Sequence, residues 1–402
     1  MSKSSAPFRF GVIGLGRAGS GMLNAMARHP DIQVTAAADL HQEHLDRFVV
    51  DFEGLAFHDA DALCARDEVD AVYIATPHEL HAQHVETAAK HGKHVIVEKP
   101  MALTLADCDR MIETVERAGV KLVVGHTASY NPAVRKMREL VSSGEVGQLG
   151  MISATAYTDF LYRPRRPEEL DTARGGGIMF NQVPHQVDAA RLVAGGIARS
   201  VRAATFILDP TRPTEGSYTA FVEFENGAVA TLSYSGYDHL NSTEIAAGRA
   251  PKDAEQYGAI RRALQQVHSS EEEVALRIST GYGGERPVVE ERQRAGGASL
   301  LQGELGVFLV NCAEADLRLA PDGVLAYTTD GLKLIPPSPW RGVPGRGNVI
   351  DELYYAVTAD RSVVHDGRWA KATMEVCLAM LQSSREHREI RLSHQVPVRD
   401  IA

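Results

Sequence analysis

Short apolar runs alternate with amphipathic stretches along the first third of the chain. The runs have the character of buried strands, and the stretches between them repeat apolar positions with the 3.6-residue period of a helix. Strand–helix–strand units require parallel pairing, because the connection has to cross the sheet. The pattern predicts one doubly wound parallel sheet, with strands at 10–14, 34–39, 71–75, 94–97 and 122–125 and helices at 18–29, 80–91 and 105–118.

The pattern changes after Asn131, where consecutive strands replace the alternation. Runs of strands are typical of a more antiparallel sheet in a second domain. The later elements are a helix at 133–142, strands at 150–159, 200–208, 218–224 and 228–234, and amphipathic helices at 348–359 and 370–386. We interpret the polar stretch 241–299, with a helical part near 257–266, as an insertion or flexible excursion.

Length and charge narrow the architecture and the partners. A chain of 402 residues exceeds one usual hydrophobic core, so two domains with a cleft between them are expected. The net charge of -10 argues against nucleic acid, and no apolar run approaches membrane-spanning length. The short polar start lacks the apolar core of a signal peptide, which favours the cytoplasm. Four widely spaced cysteines, which we expect to be reduced and mostly buried, indicate neither a zinc site nor a disulfide framework.

A glycine-rich turn follows the first predicted strand directly and opens the first predicted helix. It matches the G-x-G-x-x-G fingerprint with Gly14, Leu15, Gly16, Arg17, Ala18 and Gly19. Its first glycines let the backbone approach a pyrophosphate at the positive end of a helix. This context predicts a dinucleotide site; the alternative is a glycine turn in an ordinary α/β protein.

Asp39 ends the second predicted strand. Its carboxylate can accept hydrogen bonds from the adenosine ribose hydroxyls, and it repels a 2′-phosphate. Leu40 brings no compensating positive charge, so NAD is favoured over NADP. Asp39 as the cap of the following helix, at 41–48, is an alternative that does not exclude the first role.

Thr76 and Pro77 close the third predicted strand, and strand ends in such sheets face the ligand crevice. We expect these two residues to line the nicotinamide side of the dinucleotide site, with His78 and His81 beside them. Together with His84, the two histidines resemble a metal cluster by count alone, but little carboxylate lies near them. We therefore interpret them as solvated or capping histidines and expect no metal.

Glu98 and Lys99 end the fourth predicted strand and are followed by Pro100. Charged groups in the crevice are costly unless they are used or paired, so we expect both residues at the dinucleotide. A lysine there can hydrogen-bond the reacting oxygen, and a lowered pKa would let it relay protons. The alternative is a surface ion pair at a strand end.

Arg174 and the glycines at 175–177 precede Asn181 and His185. Pro184 suits the first turn of the helix that follows. A histidine at the start of a helix beside a glycine-rich approach is a candidate general base. A structural histidine that caps the turn would give the same sequence.

The fingerprint at 14–19, the Glu98-Lys99-Pro100 motif and the glycines with His185 together resemble the Gfo/Idh/MocA family of oxidoreductases, over nearly the whole chain. The resemblance implies an α/β protein with a Rossmann NAD-binding domain, expected at 1–128. It also implies a substrate-binding and oligomerisation domain at 129–402, whose large, mostly antiparallel open sheet often mediates homodimers or homotetramers. In that family the lysine and the histidine surround the reacting carbon, which makes Lys99 and His185 the catalytic candidates.

Two features depart from the family pattern. The family's aspartate, four residues before the histidine, is Asn181 here, so a carboxylate that would orient His185 is missing. Asn181 is kept as a catalytic candidate, and Asp188, one turn further, is the candidate substitute. The segment 125–130 replaces an arginine-bearing segment of sugar-acting members, and we expect its His126 at the substrate.

An arginine-rich segment at 162–174 sharpens the substrate hypothesis, because prolines stiffen it and its arginines can point at one anionic ligand. Those arginines are Arg163, Arg165, Arg166 and Arg174. With the segments 125–130 and 366–369, this stretch is similar to the branch of the family that contains phthalate 4,5-cis-dihydrodiol dehydrogenases, whose substrate carries two carboxylates. A solvated basic loop or a subunit contact is the alternative.

The sequence supports three hypotheses for function. The first is an NAD(P)-dependent dehydrogenase that acts in aromatic catabolism on a small anionic substrate, a carboxylated cyclic cis-diol. For this substrate the resemblance suggests the oxidation of cis-4,5-dihydroxy-4,5-dihydrophthalate to 4,5-dihydroxyphthalate. The second is the same chemistry on a sugar, inositol or sugar acid. The third is a dinucleotide-binding sensor without catalysis, which Asn181 makes conceivable.

Overall fold

The computed structural model describes residues 7–125, 127–246, 259–279, 282, 304–320, 322–340 and 343–399. Its first sheet has six parallel strands: β1 (Phe8–Ile13), β2 (Ile32–Ala38), β3 (Leu55–Phe57), β4 (Ala71–Ile74), β5 (His94–Val97) and β6 (Leu122–Val124). Their order is β3-β2-β1-β4-β5-β6. The chain reverses its direction of travel between β1 and β4, so a crevice opens at the carboxyl ends of these two strands.

Five helices connect these strands, and their ends follow from local residues. They are α1 (Arg17–Met26), α2 (Gln42–Phe52), α3 (Ala60–Cys64), α4 (His81–Lys90) and α5 (Leu105–Ala118). In α5 the hydroxyl of Thr104 accepts a hydrogen bond from the backbone of Asp107, which caps the first turn. Gly119, at φ +68°, ends that helix in the left-handed region. The bounds predicted for α5 are confirmed.

The second sheet has nine strands, in the order β14-β13-β12-β11-β7-β10-β9-β8-β15. They are β7 (Leu149–Tyr157), β8 (Ala198–Phe206), β9 (Ser217–Phe224), β10 (Val229–Ser235), β11 (Val307–Cys312), β12 (Ala315–Ala320), β13 (Gly323–Thr328), β14 (Gly331–Ile335) and β15 (Ile390–Arg391). β7 and β10 pair in parallel, and the other neighbours pair antiparallel. The predicted fold class, a Rossmann sheet followed by a large, mostly antiparallel sheet, is confirmed.

Helices cover one face of the second sheet. The remaining helices of the described chain are α6 (Pro132–Ser142), α7 (Gly177–Asn181), α8 (Val183–Ala194), α9 (Thr243–Ala246), α10 (Ala259–Leu264), α11 (Ser270–Ser279), α12 (Arg346–Thr358) and α13 (Gly367–Glu386). α6, α8 and α13 pack on the sheet, and its other face leaves Met151, Phe221 and Leu309 exposed. None of the described helices has the length and apolar character needed to cross a membrane.

The end of the chain returns to the first sheet. Val349, Ile350 and Leu353 of α12 are fully buried in one cluster with Phe10 and Met22. α12 therefore completes the hydrophobic core on one side of the Rossmann sheet, as apolar faces of helices do. The predicted division into two domains at residue 128 stays a prediction. α12 follows residue 128 in the chain, but it packs against the first sheet.

The segment interpreted as an excursion, 241–299, is described only in part. Its α11 lies against the arginine-rich segment, where Glu273 accepts hydrogen bonds from the backbone of Arg165 at 2.7 Å and from Arg212 at 2.8 Å. These contacts hold α11 in place, so the flexible alternative is wrong for 270–279, and the alternative of an insertion stays a prediction. The four cysteines, all within the described residues, are free and buried.

Candidate active site

A cavity of about 710 Å³ lies at the carboxyl edge of the first sheet and is closed by residues of the second half of the chain. Such a volume suits a small-molecule ligand. It brings together most of the residues that the sequence singled out. Lining it are Gly14, Gly16, Arg17, Ala18, Asp39, Thr76, Pro77, His78, His81, Glu98, Lys99, Arg163, Arg165, Arg166, Arg174, Asn181 and His185. Leu15 and Gly19 lie behind this surface, and His126 lies outside the described residues.

The glycine turn is shaped to admit a pyrophosphate. A Cβ on Gly14, which has φ +93°, would lie 2.8 Å from the carbonyl oxygen of Ala75, and one on Gly19 would collide with the carbonyl oxygen of Gly14. These two glycines therefore let β1, β4 and α1 pack closely. A Cβ on Gly16 would meet nothing within 4 Å, so the backbone stays open at the N-terminus of α1, where a pyrophosphate would bind.

Asp39 is held by the same turn. Its Oδ2 accepts a hydrogen bond from the backbone of Leu15 at 2.6 Å, and its Oδ1 lies 2.9 Å from the backbone nitrogen of His41 and 3.1 Å from the ring of His44. Burial would raise the pKa of this carboxyl, but the hydrogen bonds from His44, His41 and Leu15 lower it overall. No side chain caps α2, so Asp39 is not its cap. An ionised carboxylate here fits the adenosine ribose of NAD.

The three histidines near the strand ends connect loops. His81 is fully buried, with its two ring nitrogens 2.9 Å from the carbonyl oxygen of Pro100 and 3.0 Å from that of Thr76. Nδ1 of His78 lies 3.2 Å from the carbonyl oxygen of Gly175, and His84 lies 3.0 Å from the hydroxyl of Thr76. In the described part of the chain, no cluster of three metal-ligating side chains occurs. These contacts fix the wall of the cavity near Thr76 and Pro100.

Lys99 and Glu98 sit inside the crevice, which argues against a surface ion pair. The Lys99 Nζ donates a hydrogen bond to the backbone carbonyl of Asn181 at 2.8 Å, and Glu98 accepts one from the hydroxyl of Tyr73 at 2.5 Å. Burial lowers the pKa of Lys99, and the nearby carboxylates Glu98 and Glu304 oppose that shift. A lysine with a lowered pKa can both donate a hydrogen bond and exchange a proton.

His185 faces the same cavity from the first turn of α8 and is only 4% exposed. Its Nδ1 lies 3.7 Å from Oε2 of Glu304. The carbonyl that Lys99 contacts belongs to Asn181, four residues before His185, and both candidate catalytic side chains line the same cavity. The side-chain amide of Asn181 turns away and donates to the backbone carbonyl of Gly177 at 2.8 Å.

Asp188 is not a substitute for the missing aspartate. Its carboxylate accepts hydrogen bonds from Thr127 at 2.6 Å, from the indole of Trp369 at 2.6 Å and from Thr373 at 3.0 Å, and also from Ser129. These groups form a buried network that joins α8 to α13 and to the segment 127–129. Asp188 follows His185 by three residues on α8, but its side chain is directed into this network.

The arginines of the segment 162–174 differ in their surroundings. Arg163 pairs with Asp159 at 2.7 Å, and Arg166 lies 3.2 Å from Glu168. Arg174 is more than half exposed, with a side-chain exposure of 54%, and lies 3.3 Å from Glu79. The alternative that the segment 162–174 is a solvated basic loop does not hold for Arg165, because this side chain is buried.

Arg165 is buried and stacks on the ring of Phe160, with 3.9 Å between its Cζ and the ring centroid. One of its terminal nitrogens donates to the Phe160 carbonyl at 2.6 Å. Its Nε is buried and has no hydrogen-bond partner among the described residues. A buried donor without a partner is costly, so this N–H at the cavity wall is available for a ligand.

Among the cavity residues that were not predicted, three charged ones come from the second half of the chain. Glu304 precedes β11, Arg277 lies on α11 at 2.7 Å from Glu169, and Arg346 begins α12 at 3.8 Å from Glu98. None of them belongs to a motif, and all come from parts of the chain far from the Rossmann strands. Only the fold brings them to the crevice.

The comparisons with known proteins agree with this geometry. A model of the oxidoreductase family with an NAD-binding Rossmann fold matches residues 8–126, and a Gfo/Idh/MocA C-terminal domain model matches residues 134–247. The chain is 36% identical to the 1-carboxy-3-chloro-3,4-dihydroxycyclohexa-1,5-diene dehydrogenase of Comamonas testosteroni, over 94% of this chain and 95% of that protein. It is 32% identical to the myo-inositol 2-dehydrogenase of Thermotoga maritima, over 57% of this chain and 70% of that protein.

The chain is also similar to a solved structure over nearly its whole length. A Bordetella bronchiseptica protein aligns with a TM-score of 0.88 and 43% identity, over 96% of this chain and 100% of that one. The protein is thus an enzyme, an oxidoreductase that uses NAD on a Rossmann sheet. It belongs to the Gfo/Idh/MocA family.

Proposed function

We propose that this oxidoreductase oxidises a carboxylated cyclic cis-diol, with cis-4,5-dihydroxy-4,5-dihydrophthalate as the first candidate and 4,5-dihydroxyphthalate as the product. The observation that carries the proposal is Arg165, a buried arginine that lines the cavity and whose Nε has no hydrogen-bond partner among the described residues. A substrate carboxylate would satisfy this donor through a charge-assisted hydrogen bond. The name of the Comamonas testosteroni relative describes a substrate of the same chemical class.

The arginines give the cavity an anion-binding wall. Arg163, Arg165, Arg166 and Arg277 line it from two separate segments, the arginine-rich segment and α11. Glu169 of the arginine-rich segment links that segment to α11, because it lies 2.7 Å from Arg277 and 3.8 Å from Arg165. Because these arginines pair with carboxylates of the protein, among them Asp159 and Glu169, their positions are fixed before a ligand enters. Preorganised charges of this kind favour binding of a rigid anionic ring.

Lys99 and His185, which line the same cavity, suit an alcohol oxidation. In the proposed mechanism His185 takes the proton of the substrate hydroxyl, and the ammonium of Lys99 hydrogen-bonds the same oxygen and stabilises its developing charge. NAD, when bound, supplies the hydride acceptor at nicotinamide C4. Loss of the proton and the hydride leaves a ketone, and its tautomerisation gives an aromatic diol.

The proposal is tested by following NADH formation with the phthalate dihydrodiol, with cyclitols and with sugars. We expect turnover of the carboxylated diol, and turnover of cyclitols or sugars alone would contradict the proposed substrate while leaving the family unaffected. That outcome would favour the second candidate, for which the inositol dehydrogenase of Thermotoga maritima is the supporting relative.

Arg165→Met sharpens this test. Loss of a charge-assisted contact should raise KM for the carboxylated diol by about tenfold to a hundredfold, with little effect on a neutral cyclitol. Arg199→Met is the matched control, because Arg199 is a half-exposed arginine paired with Glu223 at the surface of β8. An equal loss on both substrates would show that Arg165 supports the fold and not carboxylate binding.

A further inference from the structure

A carboxylate outside every sequence motif lies beside the two candidate catalytic side chains. Oε2 of Glu304 is 3.7 Å from Nδ1 of His185, and Glu304 lines the cavity that Lys99 also lines. The side chain of Glu304 is 24% exposed. Glu304 therefore approaches the imidazole from its Nδ1 side.

The neighbouring chain fixes this arrangement. Gln186, next to His185, donates a side-chain hydrogen bond to the backbone carbonyl of Leu305, next to Glu304, at 3.4 Å. Gly306 follows at φ +67°, and a Cβ there would collide with the backbone of β7. The hydrogen bond between Gln186 and Leu305 therefore holds their chain neighbours, His185 and Glu304, side by side.

We propose that Glu304 is the positioning carboxylate of His185, in the place of the aspartate that Asn181 replaces. Its charge orients the imidazole and stabilises the imidazolium that forms when His185 accepts the proton of the substrate hydroxyl. In this step the ionised form of Glu304 gains no proton, and the hydride of the same carbinol carbon would pass to the nicotinamide of bound NAD. The inference rests on the role proposed above for His185.

The charged groups around Glu304 predict how the rate of oxidation depends on pH. Burial raises the pKa of the Glu304 carboxyl to about 7, with Lys99, Arg346 and Arg163 lowering it and Glu98 raising it. Below that pH the carboxyl is neutral and cannot stabilise an imidazolium. The rate of oxidation should therefore rise with pH through about 7.

The experiment compares wild type with Glu304→Gln and Glu304→Asp, on whichever alcohol the NADH assay identifies. For Glu304→Gln we expect kcat to fall by at least about tenfold, while KM and NADH affinity stay within about twofold. The acid limb of the kcat profile near pH 7 should move, because the carboxyl that titrates there is removed while His185 still has to be neutral to accept the proton. Glu304→Asp should recover part of kcat, and Glu314→Gln, an exposed glutamate beyond β11, should match wild type.

Wild-type kcat in Glu304→Gln would overturn the proposal, and so would a lower kcat with an unmoved acid limb, because a structural role lowers activity without moving the limb. Should Glu304→Gln fail to fold, Glu304→Asp decides alone: a reduced kcat with a displaced acid limb supports the proposal, and an unchanged profile overturns it. If only cyclitols or sugars are oxidised, the proposed substrate fails, and the same comparison on that alcohol still decides the role of Glu304.

Discussion

Asp39, which accepts a hydrogen bond from the glycine-rich turn, is the residue that we expect to select NAD over NADP. It accepts the backbone hydrogen bond of Leu15 and stays ionised at neutral pH, because its pKa is lowered overall. Asp39→Asn keeps an acceptor for Leu15 and removes only the charge that repels a 2′-phosphate. We expect the ratio of kcat/KM for NAD over NADP to fall by about tenfold or more, measured with both coenzymes on one substrate.

Asp46→Asn is the control for this change, since Asp46 is an exposed carboxylate on α2 that accepts from Gln42. It should leave the coenzyme ratio at the wild-type value. An unaltered ratio in Asp39→Asn would mean that another group in this part of the cavity selects the coenzyme.

Lys99 should matter for turnover much more than for coenzyme binding. Lys99→Met has a similar length but donates no hydrogen bond, so the developing charge on the substrate oxygen loses its stabilising cation. We expect kcat to fall by about a hundredfold or more, with the Kd for NADH within about threefold of wild type. Steady-state rates and a fluorescence titration with NADH measure the two quantities, and near wild-type turnover would contradict the proposed role.

At the residue scale the sequence predicted the Rossmann half of the site better than the substrate half. Gly14, Asp39 and Lys99 follow strands whose carboxyl ends meet at one edge, so their proximity follows from sequence order and sheet topology. Glu304 and Arg277 come from parts of the chain without a readable pattern. Their positions depend on tertiary packing, as does the orientation of Asp188 away from His185.

At the level of elements, long helices with caps were the most predictable. α5 has Thr104 before it and Gly119 after it, and its predicted bounds agree with the structure. The short strand β3 and the strands β11 to β14 were not predicted. Every residue of β3 is at least partly exposed and most residues of β14 are exposed, so the apolar periodicity that marks a buried strand is weak there.

Glu352 on α12 joins this helix to α6 and to the loop before α13. Its carboxylate lies 3.0 Å from Arg135 and 2.9 Å from the ring of His365, and it accepts the backbone hydrogen bond of His365 at 2.7 Å. Burial would raise the pKa of this carboxyl, but His365 and Arg135 lower it to about 2. Its ionised form is thus stabilised by folding.

Glu352→Gln should therefore lower the free energy of unfolding at pH 7 by about 3 kcal/mol. The folded-state pKa is lowered, so this stabilisation is complete above the ordinary value of 4.5 and is lost as pH falls toward about 2. Urea unfolding of both proteins across that range should show the difference shrinking. Glu113→Gln, an exposed change on α5, should unfold like wild type at each pH, and a pH-independent difference would contradict the linkage.

At the scale of the whole molecule, one face of the nine-stranded sheet carries large apolar side chains that are exposed in the single chain. Phe221 on β9 pairs with Thr231, which pairs with Ser153, which pairs with Leu309 on β11, so the two exposed apolar side chains lie on one row. Met151, Tyr157 and Tyr327 are also exposed large apolar residues of this sheet. Apolar surface of this extent usually marks an interface between chains.

We propose that this face joins copies of the chain into a homodimer or homotetramer. Phe221→Lys combined with Leu309→Lys places two cations on the row, and burying unpaired charges in a symmetric contact is costly. Light scattering coupled to size exclusion should therefore show wild type at a multiple of 43.6 kDa and the double variant shifted toward that mass. Val50→Lys, at an exposed apolar position of α2, controls for added charge and should leave the mass unchanged. A wild-type chain that is monomeric at micromolar concentration would contradict the proposal, and it would leave this apolar row to some other partner.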